Sequence, residues 1–162
     1  MKLKIKDQIP DTDIFQLVDG EPQKSKLREI LGEGKNVLFG LPGAFTSTCS
    51  KLHLPGFVAN ADKIKAKGIK NIFCLSVNDP YVMNGWGEIN NIGNSIKMLS
   101  DPYLLFTKAI GAEVDRNAKG MGIRSNRYLM VIENFTVVNI HVEKETKECG
   151  LTSAENLLNN LL

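Results

Sequence analysis

The residue best placed to do chemistry in this 162-residue chain is Cys49, in the run Pro42-Gly43-Ala44-Phe45-Thr46-Ser47-Thr48-Cys49-Ser50. The apolar run Val37–Leu41 reads as a buried strand that Pro42-Gly43 ends, so Cys49 falls in the first turn of a helix directly after a strand. Unpaired amides and the positive end of the helix dipole favour a thiolate at such a position. Thr46, three residues earlier, can turn its hydroxyl toward the same point. Most free cysteines are small buried hydrophobes, and helix starts are common. Position alone therefore leaves both readings open.

The other two cysteines have different surroundings. Cys74, in Phe73-Cys74-Leu75, reads as core filler on a central strand, whereas Cys149 lies in the polar stretch Glu145–Gly150 and reads as exposed. Three cysteines in such unlike settings suggest a reducing compartment with one reactive thiol rather than a disulfide framework. His53 follows Cys49 by one helical turn, so a Cys–His pair is conceivable. The helix direction points that side chain away from the open end of the cysteine, and a packing role is favoured. His141 has no partner in sequence. The chain lacks Cys-x-x-Cys, His-Glu-x-x-His and a phosphate-cradling glycine loop, so neither a metal nor any other cofactor is expected.

Lys and Arg number 20 against 18 Asp and Glu, scattered along the chain, which gives no footprint for nucleic acid. The N-terminus carries no secretory signal, and no apolar run approaches the ~18 residues of a membrane span. A cytoplasmic location is expected, or an organellar one if a targeting peptide has been removed.

Strands and helices alternate. Asp19-Gly20 is a hairpin signal in an otherwise polar, turn-rich opening. A helix is predicted from Thr46–Thr48 to about Lys67, with Ser and Thr capping its start, Pro55 kinking it and Gly68 ending it. Lys70–Val77 is a second buried strand. Asp79-Pro80 opens a helix through Ile89. Ile96–Leu99 is a third strand, and Asp101-Pro102 opens a helix over Tyr103–Ile110. Arg127–Glu133 and Thr136–Val142 flank Asn134-Phe135 as an antiparallel hairpin. A capping box, Thr152-Ser153-Ala154-Glu155, starts the last helix. The order predicts an α/β fold over residues 1–162 as a single domain, with a central mixed sheet flanked by helices on both faces. In such sheets ligands gather at the carboxyl ends of the strands, where Pro42–Cys49 lies.

The signature Pro-x-x-x-Thr-x-x-Cys, carried by Pro42, Thr46 and Cys49, resembles that of the peroxiredoxins. The stretch Pro42–Phe57 is similar to their type II (atypical) branch. So are Leu75–Pro80 with Trp86, and Gly122–Tyr128, and the similarity runs in one register from about Asp7 to Leu162. The resemblance implies a thioredoxin-like fold and a thiol peroxidase. In it Cys49 would attack the terminal peroxide oxygen, becoming a sulfenic acid. Thr46 would hydrogen-bond the sulfur and the incoming oxygen, Arg127 would favour the thiolate and stabilise the leaving oxygen, and Pro42 would shield the sulfur. Arg124 is the rival for Arg127. The family usually has Pro between the two threonines, where this chain has Ser47, which adds an amide and some freedom.

The resemblance also implies hydrogen peroxide, alkyl hydroperoxides and peroxynitrite as substrates. Its implied partners are an external thiol reductant (glutathione with glutaredoxin, or thioredoxin) and a second copy in a homodimer. Phe45 and Trp86 are candidate dimer contacts. Cys149 is a candidate resolving cysteine, four residues before the position where some relatives carry one.

Thiolate formation alone would not make a peroxidase. A thiol of pKa ~8.5 is only ~3% ionised at pH 7, and a pKa of ~6 raises that about 30-fold. A Brønsted slope of ~0.45 takes back about 13-fold of that, leaving about two-fold. The acceleration must come from donors aimed at the transition-state oxygens, which gives Thr46 and Arg127 their importance. A thioredoxin-type oxidoreductase needs Cys-x-x-Cys, and Thr46 stands where its first cysteine would be. A non-enzymatic sensor that uses Cys49 oxidation as a switch is the third reading.

Overall fold

The computed structural model describes residues 1–162. Seven strands form one sheet in the order β2-β1-β5-β4-β3-β8-β9. They are β1 (Asp13–Val18), β2 (Glu21–Lys26), β3 (Lys35–Gly40), β4 (Asn71–Ser76), β5 (Lys97–Ser100), β8 (Tyr128–Glu133) and β9 (Thr136–Val142). Two short strands, β6 (Glu113–Asp115) and β7 (Ile123–Ser125), pair separately. The central strands β3, β4 and β5 run parallel, and β8, β9, β1 and β2 join antiparallel.

Central strands buried on both faces alternate their side chains between two cores. Val37, Phe39, Cys74, Leu129 and Val131 face one core, together with Leu54, Phe57, Ile64, Trp86 and Leu157. These last five come from α2 (Leu54–Ala66), α3 (Pro80–Ile89) and α5 (Ala154–Asn160). Leu38, Phe73, Leu75, Tyr128 and Met130 face the other core, with Leu27 and Leu31 of α1 (Leu27–Leu31) and Phe106 of α4 (Leu105–Ala109). Each fully buried Leu, Val or Phe contributes about 1.5–3 kcal/mol. Helices thus cover both faces of a mixed sheet, as the order of elements predicts.

Local signals hold where they are self-contained. Asp19 and Gly20 both take positive φ in the β1–β2 turn, and Asn134 and Phe135 do so between β8 and β9. Asp79 accepts from Val82 N at 3.0 Å and caps α3 with Pro80 at its first position. Two expectations shift. Leu104 turns left-handed, at φ 59°, so α4 starts at Leu105, and buried Asp101 accepts from the amides of Phe106 and Thr107. The cap of α5 is Ser153, accepting from Asn156 N, because the Thr152 hydroxyl donates to Glu143 instead. The polar opening residues supply an edge hairpin that reaches the sheet through Phe15 opposite Ser100 on β5.

The helix after β3 also differs from expectation. Helical backbone starts at Ser47, where the sequence places it, but Cys49–His53 then forms a π-helical turn, in which Leu54 N bonds Cys49 O, and the long regular stretch α2 runs from Leu54. Pro55 has no amide to offer the carbonyl four residues back and its ring would crowd that carbonyl. A widened turn before it relieves both problems.

Candidate active site

The loop between β3 and the π turn leaves the sheet at the carboxyl end of its central parallel strands. Gly40 lies flat under the Tyr128 ring, where any Cβ would overlap it. The loop is then pinned from both sides. Asn78 Oδ1, held by the Ser76 hydroxyl at 2.7 Å, accepts from Ala44 N at 2.9 Å. Arg124 donates to Met121 O at 2.7 Å and to Pro42 O at 3.4 Å. Phe45 takes a left-handed φ of 62° with its ring exposed, which stores strain just before Thr46.

Cys49 opens the π turn and is fully buried. Neither Thr nor Ser caps this turn through a side chain. The Thr46 hydroxyl donates to Gly43 O at 2.8 Å, Thr46 O accepts from Ser50 N at 2.9 Å, and the Thr48 hydroxyl reaches Lys147 O at 3.3 Å. The Trp86 indole donates to Ser50 Oγ at 3.1 Å. Trp86 is only 1% exposed and so offers no surface contact, whereas Phe45 is 57% exposed.

Arg127 stands immediately before β8 and is itself buried. Its Nη2 donates to Cys49 Sγ at 3.3 Å and to Thr146 O at 2.8 Å. Its Nη1 meets His53 Nδ1 at 2.8 Å, and its Nε is buried without a partner. Of the two candidate arginines, Arg127 meets the sulfur, while Arg124 braces the loop.

His53 belongs to this cluster, contrary to the packing role expected from sequence. It does pack, against the rings of Phe39 and Phe57. The wide turn also lets its imidazole meet Arg127 on one side and Thr152 O, at 2.9 Å, on the other. Burial first, and Arg127 second, push its pKa down to about 3. It is therefore a neutral acceptor toward the guanidinium.

A third group of contacts comes from the segment between β9 and α5. Glu143 accepts from both the amide and the hydroxyl of Thr152, at 2.9 and 3.0 Å, closing that segment into a loop. Thr146, Lys147 and Thr152 of the loop contact Arg127, Thr48 and His53 in turn. Cys149 sits on the same loop and is half-buried rather than exposed, with burial raising its thiol pKa. Cys74 is fully buried on β4, as expected of core filler, and its thiol is held in the protonated form by burial.

Pro42, Thr46 and Arg127 share the floor of an open cleft of about 500 Å³, with Arg116, Lys119 and Lys147 on its rim. The sulfur lies one contact layer beneath, behind Arg127. A buried sulfur under a guanidinium, at the carboxyl edge of a thioredoxin-like sheet, defines a redox thiol centre with room for a substrate above it.

Comparison with known proteins agrees. The Redoxin family model matches residues 4–158. The chain is 39% identical to peroxiredoxin-2D of Arabidopsis thaliana over 160 residues, covering 98% of each protein. It is 41% identical to peroxiredoxin-2C of Oryza sativa subsp. japonica, covering 96% of each. The crystal structure of reduced Prx3 from Vibrio vulnificus in complex with hydrogen peroxide superposes with a TM-score of 0.91 at 40% identity, over 96% of this chain and 97% of that one. The chain belongs to the Redoxin family and, within it, to the type II peroxiredoxins. It is a peroxidase that reduces peroxide with electrons from thiols.

Proposed function

We propose that Cys49 is the peroxidatic cysteine, reducing hydrogen peroxide and alkyl hydroperoxides, with peroxynitrite as a further substrate, through a sulfenic acid. The observation that carries this reading is the 3.3 Å approach of Arg127 Nη2 to Cys49 Sγ, with Nη1 of the same fork fixed by His53. Arg127 then favours the thiolate and stabilises the oxygen that leaves. The Thr46 hydroxyl donates its hydrogen bond to Gly43 O, so its oxygen presents lone pairs to the hydrogen of an entering peroxide. Pro42, buried on the cleft floor, keeps bulk water from the sulfur. The hydrogen peroxide in the Vibrio vulnificus complex is consistent with the smallest of these substrates.

The sulfenic acid returns to thiol through an external reductant, glutathione with glutaredoxin or thioredoxin. Cys149 is the internal alternative, and a Cys49–Cys149 linkage found by mass spectrometry after one peroxide equivalent would displace the external route. We read the chain as one cytoplasmic domain over residues 1–162, paired as a homodimer through the face that carries Phe45. No helix is long and apolar enough to cross a membrane. Stopped-flow oxidation by hydrogen peroxide and by an alkyl hydroperoxide, followed through the single tryptophan, tests the enzyme reading. Rates far above that of free cysteine are expected. A rate no faster would leave Cys49 as a sensor thiol.

A further inference from the structure

Arg127 and Glu143 face each other across the open end of the β8–β9 hairpin. Tyr128 pairs with Val142 in the ladder, and one step further out Glu143 N donates to Arg127 O at 3.0 Å. Side chains opposite each other on antiparallel neighbours share a face, so an ion pair is the default arrangement. Both residues are buried, at 1% and 4% exposure, where a charge without a partner is costly. Yet none of the chain's three ion pairs includes either of them. The Glu143 carboxylate turns away from the guanidinium, and its Oε1 accepts from the amide and the hydroxyl of Thr152.

A direct pair would disable the arginine. Carboxylates engage a guanidinium through two parallel bonds, and such a fork would compete for the Nη2 that reaches Cys49. Glu143 instead grips the guanidinium at one remove, because the loop it closes returns two carbonyls toward it. Thr146 O accepts from Nη2 directly. Thr152 O holds the imidazole of His53, whose other nitrogen accepts from Nη1. Both ends of the guanidinium are thus fixed by neutral groups, and Nη2 keeps a hydrogen for the sulfur. We propose that Glu143 is a positioning residue for peroxide reduction. By closing the loop on Thr152, its carboxylate aims Arg127 at the Cys49 sulfur and at the peroxide oxygens. The proposal rests on the peroxidase reading above and gives Glu143 no contact with substrate. Its effect lies in alignment, where misplacing a catalytic group by about 1 Å costs up to about 100-fold in rate.

The experiment times the oxidation of Cys49 by hydrogen peroxide in stopped flow, on the full chain. Glu143→Ala should slow it about ten-fold. Glu143→Gln should restore it to within about three-fold of the wild type, because the amide oxygen still accepts both Thr152 bonds. The decisive arm repeats Glu143→Ala in the Arg127→Lys background. With no guanidinium left to aim, the second change should cost less than about two-fold. A ten-fold loss in both backgrounds overturns the proposal, since Glu143 would then reach the sulfur by a route that bypasses Arg127. So does a Gln variant as slow as the Ala variant, which would make the charge rather than the grip the cause. An Ala variant as fast as the wild type overturns it too. Should Glu143→Ala not fold, Glu143→Asp, which withdraws the carboxylate by one methylene, takes its place in the same comparison. Wild-type oxidation no faster than that of free cysteine would instead refute the peroxidase reading, and it is read before any variant.

Discussion

Nδ1 of His53 and Nη1 of Arg127 stand 2.8 Å apart, and since a guanidinium only donates, the imidazole must offer a lone pair there. Its proton is then on Nε2, which donates to Thr152 O. One imidazole thus links the arginine over the sulfur to the loop closed by Glu143. The link holds only while the ring is neutral.

Acid should therefore loosen the site and the fold together. An unfolded histidine protonates near pH 6.5, whereas His53 in the fold resists until about pH 3. Above pH 6.5 both states hold a neutral ring and the contribution is fully present. As pH falls, the unfolded chain binds a proton that the folded one does not, and stability drops, by about 3 kcal/mol at pH 4.5 and about 4 kcal/mol by pH 3. Urea unfolding at pH 7 and pH 4.5 checks this. His53→Gln, which keeps an acceptor without titrating, should lose about 3 kcal/mol less between those pH values than the wild type.

Arg127→Lys should cost more than a conserved charge suggests. The guanidinium reaches Cys49, His53 and Thr146 from two nitrogens, while a lysine has one ammonium on a flexible stem. The rate of Cys49 oxidation should fall about 100-fold or more in stopped flow, comparable to losing an oxyanion donor.

The two buried cysteines should separate cleanly. Cys49→Ser should abolish peroxide reduction. Cys74→Ser should retain most of it, since Cys74 faces the core from β4 and burial keeps its thiol protonated. Steady-state turnover with hydrogen peroxide distinguishes them.

Gly40→Ala should destabilise the protein far more than a surface change. The added methyl would overlap the Tyr128 ring, which is itself fully buried and next to Arg127. Overpacking of this kind costs about 1–3 kcal/mol or more, measurable as a lower urea midpoint at unchanged slope.

Much of the fold could be read from sequence because its signals are local. Asp19-Gly20, Asn134-Phe135 and Asp79-Pro80 each act within four residues, and each does what its chemistry predicts. Signals that depended on a distant partner moved. Thr152 is a fair cap by spacing, but Glu143 competes for its hydroxyl. Trp86 reads as a surface contact until Ser50 and the core enclose it. The sulfur, Thr46 and Pro42 share one segment and could be read together. Arg127, 78 residues away, came only through family resemblance. His53 was missed because a 3.6-residue helix was assumed around Cys49. Pro55, two residues on, was the available sign that the turn there is wider.

The π turn carries one residue more than a regular helix needs between Cys49 and Leu54. Reading frame inside the helix is thus part of the site: each residue turns an α-helix by about 100°. Widening the turn absorbs that extra residue, so Cys49 and the loop before it keep their phase with Phe57 and the core instead of being swung by roughly that angle. Deleting a single residue from Ser50–Leu52 should therefore spare the phase but return to Pro55 the crowding that the wide turn relieves. Such a chain would keep its sheet, its arginine and its cleft, with its sulfur held in a turn under strain.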